Sequence, residues 1–357
     1  LPLIVGMILA SGLNPASVLT VFGLMQIATA LLYRMPMPVQ PLKAMAALVI
    51  AQKLPAGVLY GGGLAIGVSM LVLTASGLLE WINRAVPKPV IRGIQCGLGL
   101  QLAGIALKEF VPSDGRHGWW LAAAGFAITL VLIGRRRVPA ALILVALGAA
   151  YAFAFKLNGV SLLGLVGFHL PSWRQPALAD LWPGFLLLAL PQIPLSISNS
   201  VLATRQLADD LFPEKRITAR RIGWTYSLMN LFNPFLGGVP TCHGSGGMAG
   251  HYAFGGRTGG SVIIYGMMYV ALGLFFGPGF QTAIQVFPLP ILGVLLLFES
   301  ITLMALLRDL AGSAPDFLLA VLVGIVASAV PYGYLAGLLS GVVIHHLMRR
   351  GLVRLGA

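Results

Sequence analysis

The chain reads as an all-α polytopic membrane protein with 14 transmembrane segments, built as two inverted 7-segment repeats in which spans 3 and 10 are broken half-helices. Three observations predict this. Of 357 residues, 58% are hydrophobic and only 9% charged, with mean hydropathy +0.90, a balance foreign to soluble domains. Apolar runs approaching the ~20 residues that cross a bilayer succeed one another with few polar interruptions. Two short apolar segments, 35–44 (MPMPVQPLKA) and 237–247 (GGVPTCHGSGG), are interrupted by proline and glycine in the same way at corresponding places in the two halves. Such a pair is the sequence pointer to a secondary transporter's binding site.

The expected spans of the first half run over 1–11, 18–33, a short 41–52, 57–79, 91–110, 118–133 and 138–156. Those of the second cover 181–202, 219–236, a short 244–254, 259–277, 284–306, 316–330 and 333–348. The chain opens inside the apolar run Leu1-Pro2-Leu3-Ile4, so the beginning of span 1 is expected to be missing, and no signal peptide is recognisable. Leu24-Met25-Gln26 aligns with Leu228-Met229-Asn230 ahead of the broken segments, and Leu1-Pro2-Leu3-Ile4 aligns with Leu190-Pro191-Gln192-Ile193. An odd number of spans per half is what inversion requires. Residues 157–180 are the longest outer connection, and 205–221, with alternating acids and bases, predicts a solvated surface helix. Cys96 reads as a small buried apolar residue, whereas Cys242 falls within the second broken segment, and no CxxC pattern is present.

The net charge of +13 follows topology. With the first residue inside, one side gathers Arg34, Arg84, Lys88, Arg92, Arg135, Arg136, Arg137, Arg205, Lys215, Arg216, Arg220, Arg221, Arg257, Arg308, Arg349, Arg350 and Arg354, which is 17 of the 23 basic residues. The other side holds Lys53, Lys108, Arg116, Lys156 and Arg174, and Lys43 alone is left within the membrane. This asymmetry obeys the positive-inside rule and predicts two cytoplasmic termini, not a nucleic-acid footprint.

Prolines at the start of each short helix would leave N–H groups free, and two such ends meeting in mid-membrane would form an anion pocket. Each helix start acts as roughly half a positive charge. With Lys43 added, the pocket suits a dianion. A lysine in the first turn of its helix opposes the dipole, and burying it in a span costs ~2.5 to 3.5 kcal/mol, so it calls for a function. The competing readings are a lysine that snorkels to the interface or pairs with a carboxylate. Gln40 either donates to the ligand or caps broken backbone.

Around the second helix start, Thr241, Cys242, His243, Gly244, Ser245 and Gly246 are candidate substrate contacts, the glycines allowing close backbone approach. Gly244, Gly246 and Ala249 also fit a degenerate dinucleotide fingerprint, discounted because no βαβ unit surrounds it. Gly246 and Gly250 fit small-residue helix packing equally well. His243 is a candidate anion donor or proton carrier, or a histidine that satisfies a carbonyl. Gln192, Ser196 and Asn199 share one face of an otherwise apolar helix and predict a cavity wall or a helix contact. Glu299, the one carboxylate well inside a span, is the second coupling candidate, or else pairs with an arginine such as Arg308. No HExxH or GxSxG arrangement appears, so neither an enzyme nor a cofactor or metal site is predicted. A closed, lysine-bearing pocket favours a carrier over a channel.

The strings Pro36-Met37-Pro38-Val39-Gln40-Pro41-Leu42-Lys43-Ala44 and Val239-Pro240-Thr241-Cys242-His243-Gly244-Ser245-Gly246-Gly247-Met248-Ala249-Gly250 resemble the two signature stretches of the molybdate transporter family, relatives of the SulP permeases. Leu190-Pro191-Gln192-Ile193-Pro194-Leu195, Phe254-Gly255-Gly256-Arg257-Thr258-Gly259-Gly260 and Pro288-Leu289-Pro290-Ile291-Leu292-Gly293-Val294-Leu295 extend the likeness over most of the chain. The resemblance implies the fold shared by SulP proteins and uracil permeases, with a core domain (1–79 and 181–280) moving against a gate domain (80–180 and 281–357). It implies uptake of molybdate or a related oxyanion, with sulfate or a nucleobase as the alternative cargo, and it sets Gln192 beside the substrate. Relatives with this fold form homodimers, a prokaryotic inner membrane is the expected location, and His243 and Glu299 motivate protons as the coupling ion. A typical SulP protein carries a STAS domain after its last span, and a chain ending at Ala357 agrees with the molybdate branch.

Overall fold

The computed structural model describes residues 2–79, 81, 86–132, 140–156, 166–253 and 256–354. The first helices are α1 (Pro2–Ser11) and α2 (Pro15–Tyr33), the latter capped by Asn14, whose side chain accepts the Ser17 N–H. Strand β1 (Val39–Pro41) leads into the short α3 (Lys43–Gln52), and α4 (Ala56–Ser76) follows. Next comes α5 (Lys88–Ile105), which continues through a π turn (Ala106–Phe110) and a 3-10 turn (Val111–Asp114) into α6 (Gly115–Leu132), then α7 (Ala140–Phe155). The second half opens with α8 (Leu181–Gly184) and α9 (Leu190–Leu195), joined by one π segment and prolonged by another, Ser196–Leu202. The amphipathic α10 (Ala203–Leu211) and α11 (Ala219–Phe232) precede β2 (Thr241–His243) and the short α12 (Ser245–Ala253). Last are α13 (Gly260–Val286), α14 (Leu289–Met304), α15 (Ala314–Ala329) and α16 (Gly333–Arg349).

Six helical stretches among the described residues are long and apolar enough to cross a bilayer: Pro15–Tyr33, Ala56–Ser76, Lys88–Leu132, Leu178–Leu195, Gly260–Gly277 and Leu289–Leu310. Four shorter apolar helices accompany them. Several expected boundaries move. The separate spans 91–110 and 118–133 are one helical stretch that turns at Gly115, whose φ of 59° suits glycine. Helix α13 runs on past the expected end of span 11, through a kink at Phe276, to Val286. In the long connection, the N–H groups of Gly167, His169, Ser172 and Arg174 donate to Phe275, Leu274, Ser17 and Phe235. Arg84, Arg135, Arg136, Arg137, the start of the 138–156 span, residues 157–165, and residue 254 at the end of the expected span 10 lie outside the described residues.

The helices pack as two groups. In one, α2 packs on α13, α4 on α11 and α8, and α1 on α3; in the other, α5 packs on α14, α15 and α16, and α6 on α7 and α14. Glycine lets several axes approach closely in the first group. A Cβ on Gly61 would overlap the backbone of Asp180, and one on Gly23 would lie 2.7 Å from the Val270 nitrogen. The groups meet where α3 and α9 face α5, where α1 faces α14, and where α9 faces α16.

Candidate functional site

The prolines do not stand inside the short helices. Pro41 lies in β1 and Pro240 just ahead of β2, so their fixed φ supports extended chain, and the helices begin at Lys43 and Ser245. Helix α2 holds the first strand: Gln26 accepts the Val39 N–H and donates to the Val39 carbonyl, both at 2.7 Å, and Thr29 donates to the Met37 carbonyl. Helix α11 holds the second in the same way. Asn230 accepts the Thr241 N–H and donates to its carbonyl, and Asn233 donates to the Val239 carbonyl. The amides at 26 and 230 thus do the same work in the two halves. Each satisfies strand backbone that would otherwise be unpaired within the protein.

The two strands pair antiparallel, with Val39 opposite His243, Gln40 opposite Cys242 and Pro41 opposite Thr241. Leu42 N–H donates to the Pro240 carbonyl and Gly244 N–H to that of Pro38, so both helix starts are tied to this crossing. Because side chains alternate along a strand, the register divides the candidates. Gln40 and Cys242 share one face and line a narrow cavity of ≈ 20 Å³ with Lys43, Gln95, Gln192 and Asn199. Thr241 and His243 take the other face. Thr241 Oγ1 accepts from Asn233, and His243 Nε2 lies 2.6 Å from Thr225 Oγ1, which also bonds the Tyr33 hydroxyl. Both are fully buried against α11 and away from the cavities.

Lys43, the first residue of α3, forms an ion pair with Glu299 of α14 at 2.7 Å, each side chain about a quarter exposed. Glu299 therefore pairs with Lys43 rather than with an arginine such as Arg308, the alternative to its coupling role. Lys43, Glu299 and Gln40 line a cavity of ≈ 240 Å³ closed by Pro2, Leu3 and Ile4 of α1, Phe22 of α2, and Tyr265 and Tyr269 of α13. Gln192 Oε1 accepts the Ala44 and Met45 N–H groups at 3.0 and 3.2 Å, capping the start of α3, while its Nε2 donates to Ser196. Ser196 is fully buried and bonded to the Tyr226 hydroxyl at 2.6 Å, so it serves Gln192 and lines none of these cavities. Asn199, on the same helix, borders both the narrow cavity and a larger one.

That larger cavity, ≈ 700 Å³, is walled by Lys88, Arg92, Gln95, Arg205 and Ser245 among others. Arg92 pairs with Asp309 and donates to Gln95. Through Gln95 and Asn199 it adjoins the narrow cavity, which adjoins the ≈ 240 Å³ one through Gln40 and Lys43. Gly246 faces open space, whereas a Cβ on Gly244 would overlap the Gln40 side chain. No group of three or more metal-ligating side chains occurs among the described residues. Sequence reading missed Gln95, Tyr265 and Tyr269. The tyrosines, four residues apart on an apolar helix, carried a readable signal.

Comparison with known proteins bears on this site. A family model described as "Molybdate transporter of MFS superfamily" matches residues 1–102 and 184–303. Molybdate transporter 1 of Arabidopsis thaliana is 32% identical over 96% of the chain and 85% of its own length. Molybdate transporter 2 of the same plant is 34% identical over 90% of the chain and 79% of its own length. Among solved structures, the transmembrane domain of the cyanobacterial bicarbonate transporter BicA superposes with a TM-score of 0.68 at 16% identity, covering 96% of this chain and 92% of that one.

Proposed function

This chain belongs to the molybdate transporter family, and from that membership we propose that it is a secondary active carrier of a tetrahedral oxyanion, molybdate first. The observation that carries the reading is the crossing of β1 and β2, which brings two helix starts, Lys43 and Gln40 together beside the junction of the two helix groups. Two helix N-termini supply roughly one positive charge and Lys43 a second, which matches a dianion. Gln40 donates from its amide, and Gln192 exchanges its hold on the α3 backbone for the incoming oxygen. Cys242 and Asn199 shape the wall, and the α12 start, with Gly244, Ser245 and Gly246, faces the ligand from the other side.

In this reading the helix groups are the core and gate, and alternating access moves one against the other. The narrow cavity holds about one water, not an oxyanion, so loading requires the groups to part around Gln40 and Lys43. The matching amide clamps at Gln26 and Asn230 support two inverted repeats of seven spans. The basic residues support an inner-membrane orientation with both termini inside.

Titrating the purified protein with molybdate, then competing with tungstate and sulfate, tests the proposal. The expected result is saturable binding, competed by like-shaped dianions. Absence of binding by all three would overturn it.

A further inference from the structure

Among the described residues Lys43 is the one cation at the strand crossing, and it is paired with Glu299 at 2.7 Å. The two residues sit on different helix groups, Lys43 on α3 and Glu299 on α14. The other ion pairs of the described residues stay within one group: Lys88 and Arg92 with Asp309, Lys156 with Asp114, Arg205 with Asp209. An oxyanion that reaches Lys43 therefore meets a carboxylate in its place. Resting on the carrier reading above, we propose that Glu299 is an internal stand-in for the substrate, displaced from Lys43 when the oxyanion binds, and that the displaced carboxylate takes up one proton for each oxyanion carried.

Charge decides the second step. A dianion beside Lys43, two helix starts and an ionised Glu299 leaves about one uncompensated negative charge in a desolvated site. Transfer of one proton from water to the Glu299 carboxylate cancels that charge, with no bond other than O–H made. When the oxyanion leaves, Lys43 recovers its partner and the proton departs. The pair is thus re-formed only in the empty carrier, which bridges the groups in one state and frees them in the other.

The surroundings of Glu299 leave it few alternatives. Lining the same cavity are Lys43 from α3 and Tyr265 and Tyr269 from α13, whose hydroxyls bond each other, while the described residues of α1 contribute Pro2, Leu3 and Ile4. The ionisable groups on the elements packed against α14 do not line this cavity: Lys88, Arg92 and Cys96 of α5, Lys108 and Glu109 of the π turn, Asp114 of the 3-10 turn, Arg116 and His117 of α6, Tyr151 of α7, and Arg308 and Asp309 beyond its own end. His243, the other proton candidate, is enclosed by Thr225 and Tyr33 and lines none of the cavities described above.

Calorimetric titration with molybdate in two buffers of different ionisation heat, at one near-neutral pH, counts the protons exchanged on binding. The wild-type protein is expected to take up close to one proton per molybdate. Glu299→Gln is expected to take up none, to bind about tenfold more tightly because the competing charge is gone, and to lose the rise in affinity with acidity. Wild-type binding without proton uptake, or Glu299→Gln uptake equal to the wild type, would overturn the proposal. Absence of molybdate binding by the wild type would instead overturn the carrier reading itself. The wild-type measurement stands alone if the variant does not fold.

Discussion

Gln192 accepts the backbone N–H of Ala44 at 3.0 Å, and so an amide from the second half of the chain caps the broken helix of the first. It reaches Met45 N–H as well, so two donors of the first turn of α3 are satisfied by one side chain. Gln192→Leu removes that acceptor from two buried donors. The expected cost is ~2 kcal/mol, read as a lower midpoint in thermal unfolding in detergent. Gln192→Glu keeps the cap but sets a negative charge at the proposed oxyanion site, so molybdate affinity should fall at least about tenfold with stability retained.

A second consequence concerns Gly244, where an added Cβ would overlap the Gln40 side chain. The neighbour that must yield is a flexible amide, so Gly244→Ala should change stability by less than ~1 kcal/mol. Gln40 is then turned from its place, and affinity for molybdate should drop about tenfold. Unchanged affinity would take Gln40 out of the site.

His243 behaves as part of the scaffold. Its Nε2 is bonded to Thr225 and its ring packs edge-on to Tyr33 at 5.5 Å between centroids. His243→Asn should lower thermal stability by ~1–3 kcal/mol while leaving molybdate affinity and proton uptake at wild-type values. Loss of proton uptake in this variant would return the coupling role to His243.

Much of this was legible in the sequence, for physical reasons that differ by residue. Proline and glycine punctuation marked both broken segments because the residue before a proline is biased toward extended chain and a proline removes a helix hydrogen bond. Lys43 stood out because a charge in an apolar run needs a reason. The partition of Thr241, Cys242 and His243 was not legible. It depends on a three-residue strand register, and a one-residue slip would exchange the faces. The partner of Glu299 was hidden too, since α3 and α14 are far apart in sequence and near only in the fold. Gln26 and Asn230 were aligned across the halves, but their common task appears only once each is seen holding both polar groups of a strand residue.

The close approach of α4 to α8 makes a stability prediction independent of the site. A Cβ on Gly61 would overlap the Asp180 carbonyl, and one on Gly184 would overlap the Gly62 nitrogen; both neighbours are backbone and cannot rotate away. Gly61→Ala and Gly184→Ala should each destabilise the protein by ~1–3 kcal/mol, seen as a lower unfolding midpoint.

In the proposed carrier Lys43, at the meeting of two helix starts, holds the transported dianion. Calorimetric titration of Lys43→Met with molybdate, beside the wild type and with folding checked by thermal unfolding, tests it most directly. Saturable binding by the wild type and none by the folded variant is the expected result. Undiminished molybdate affinity in Lys43→Met would contradict it.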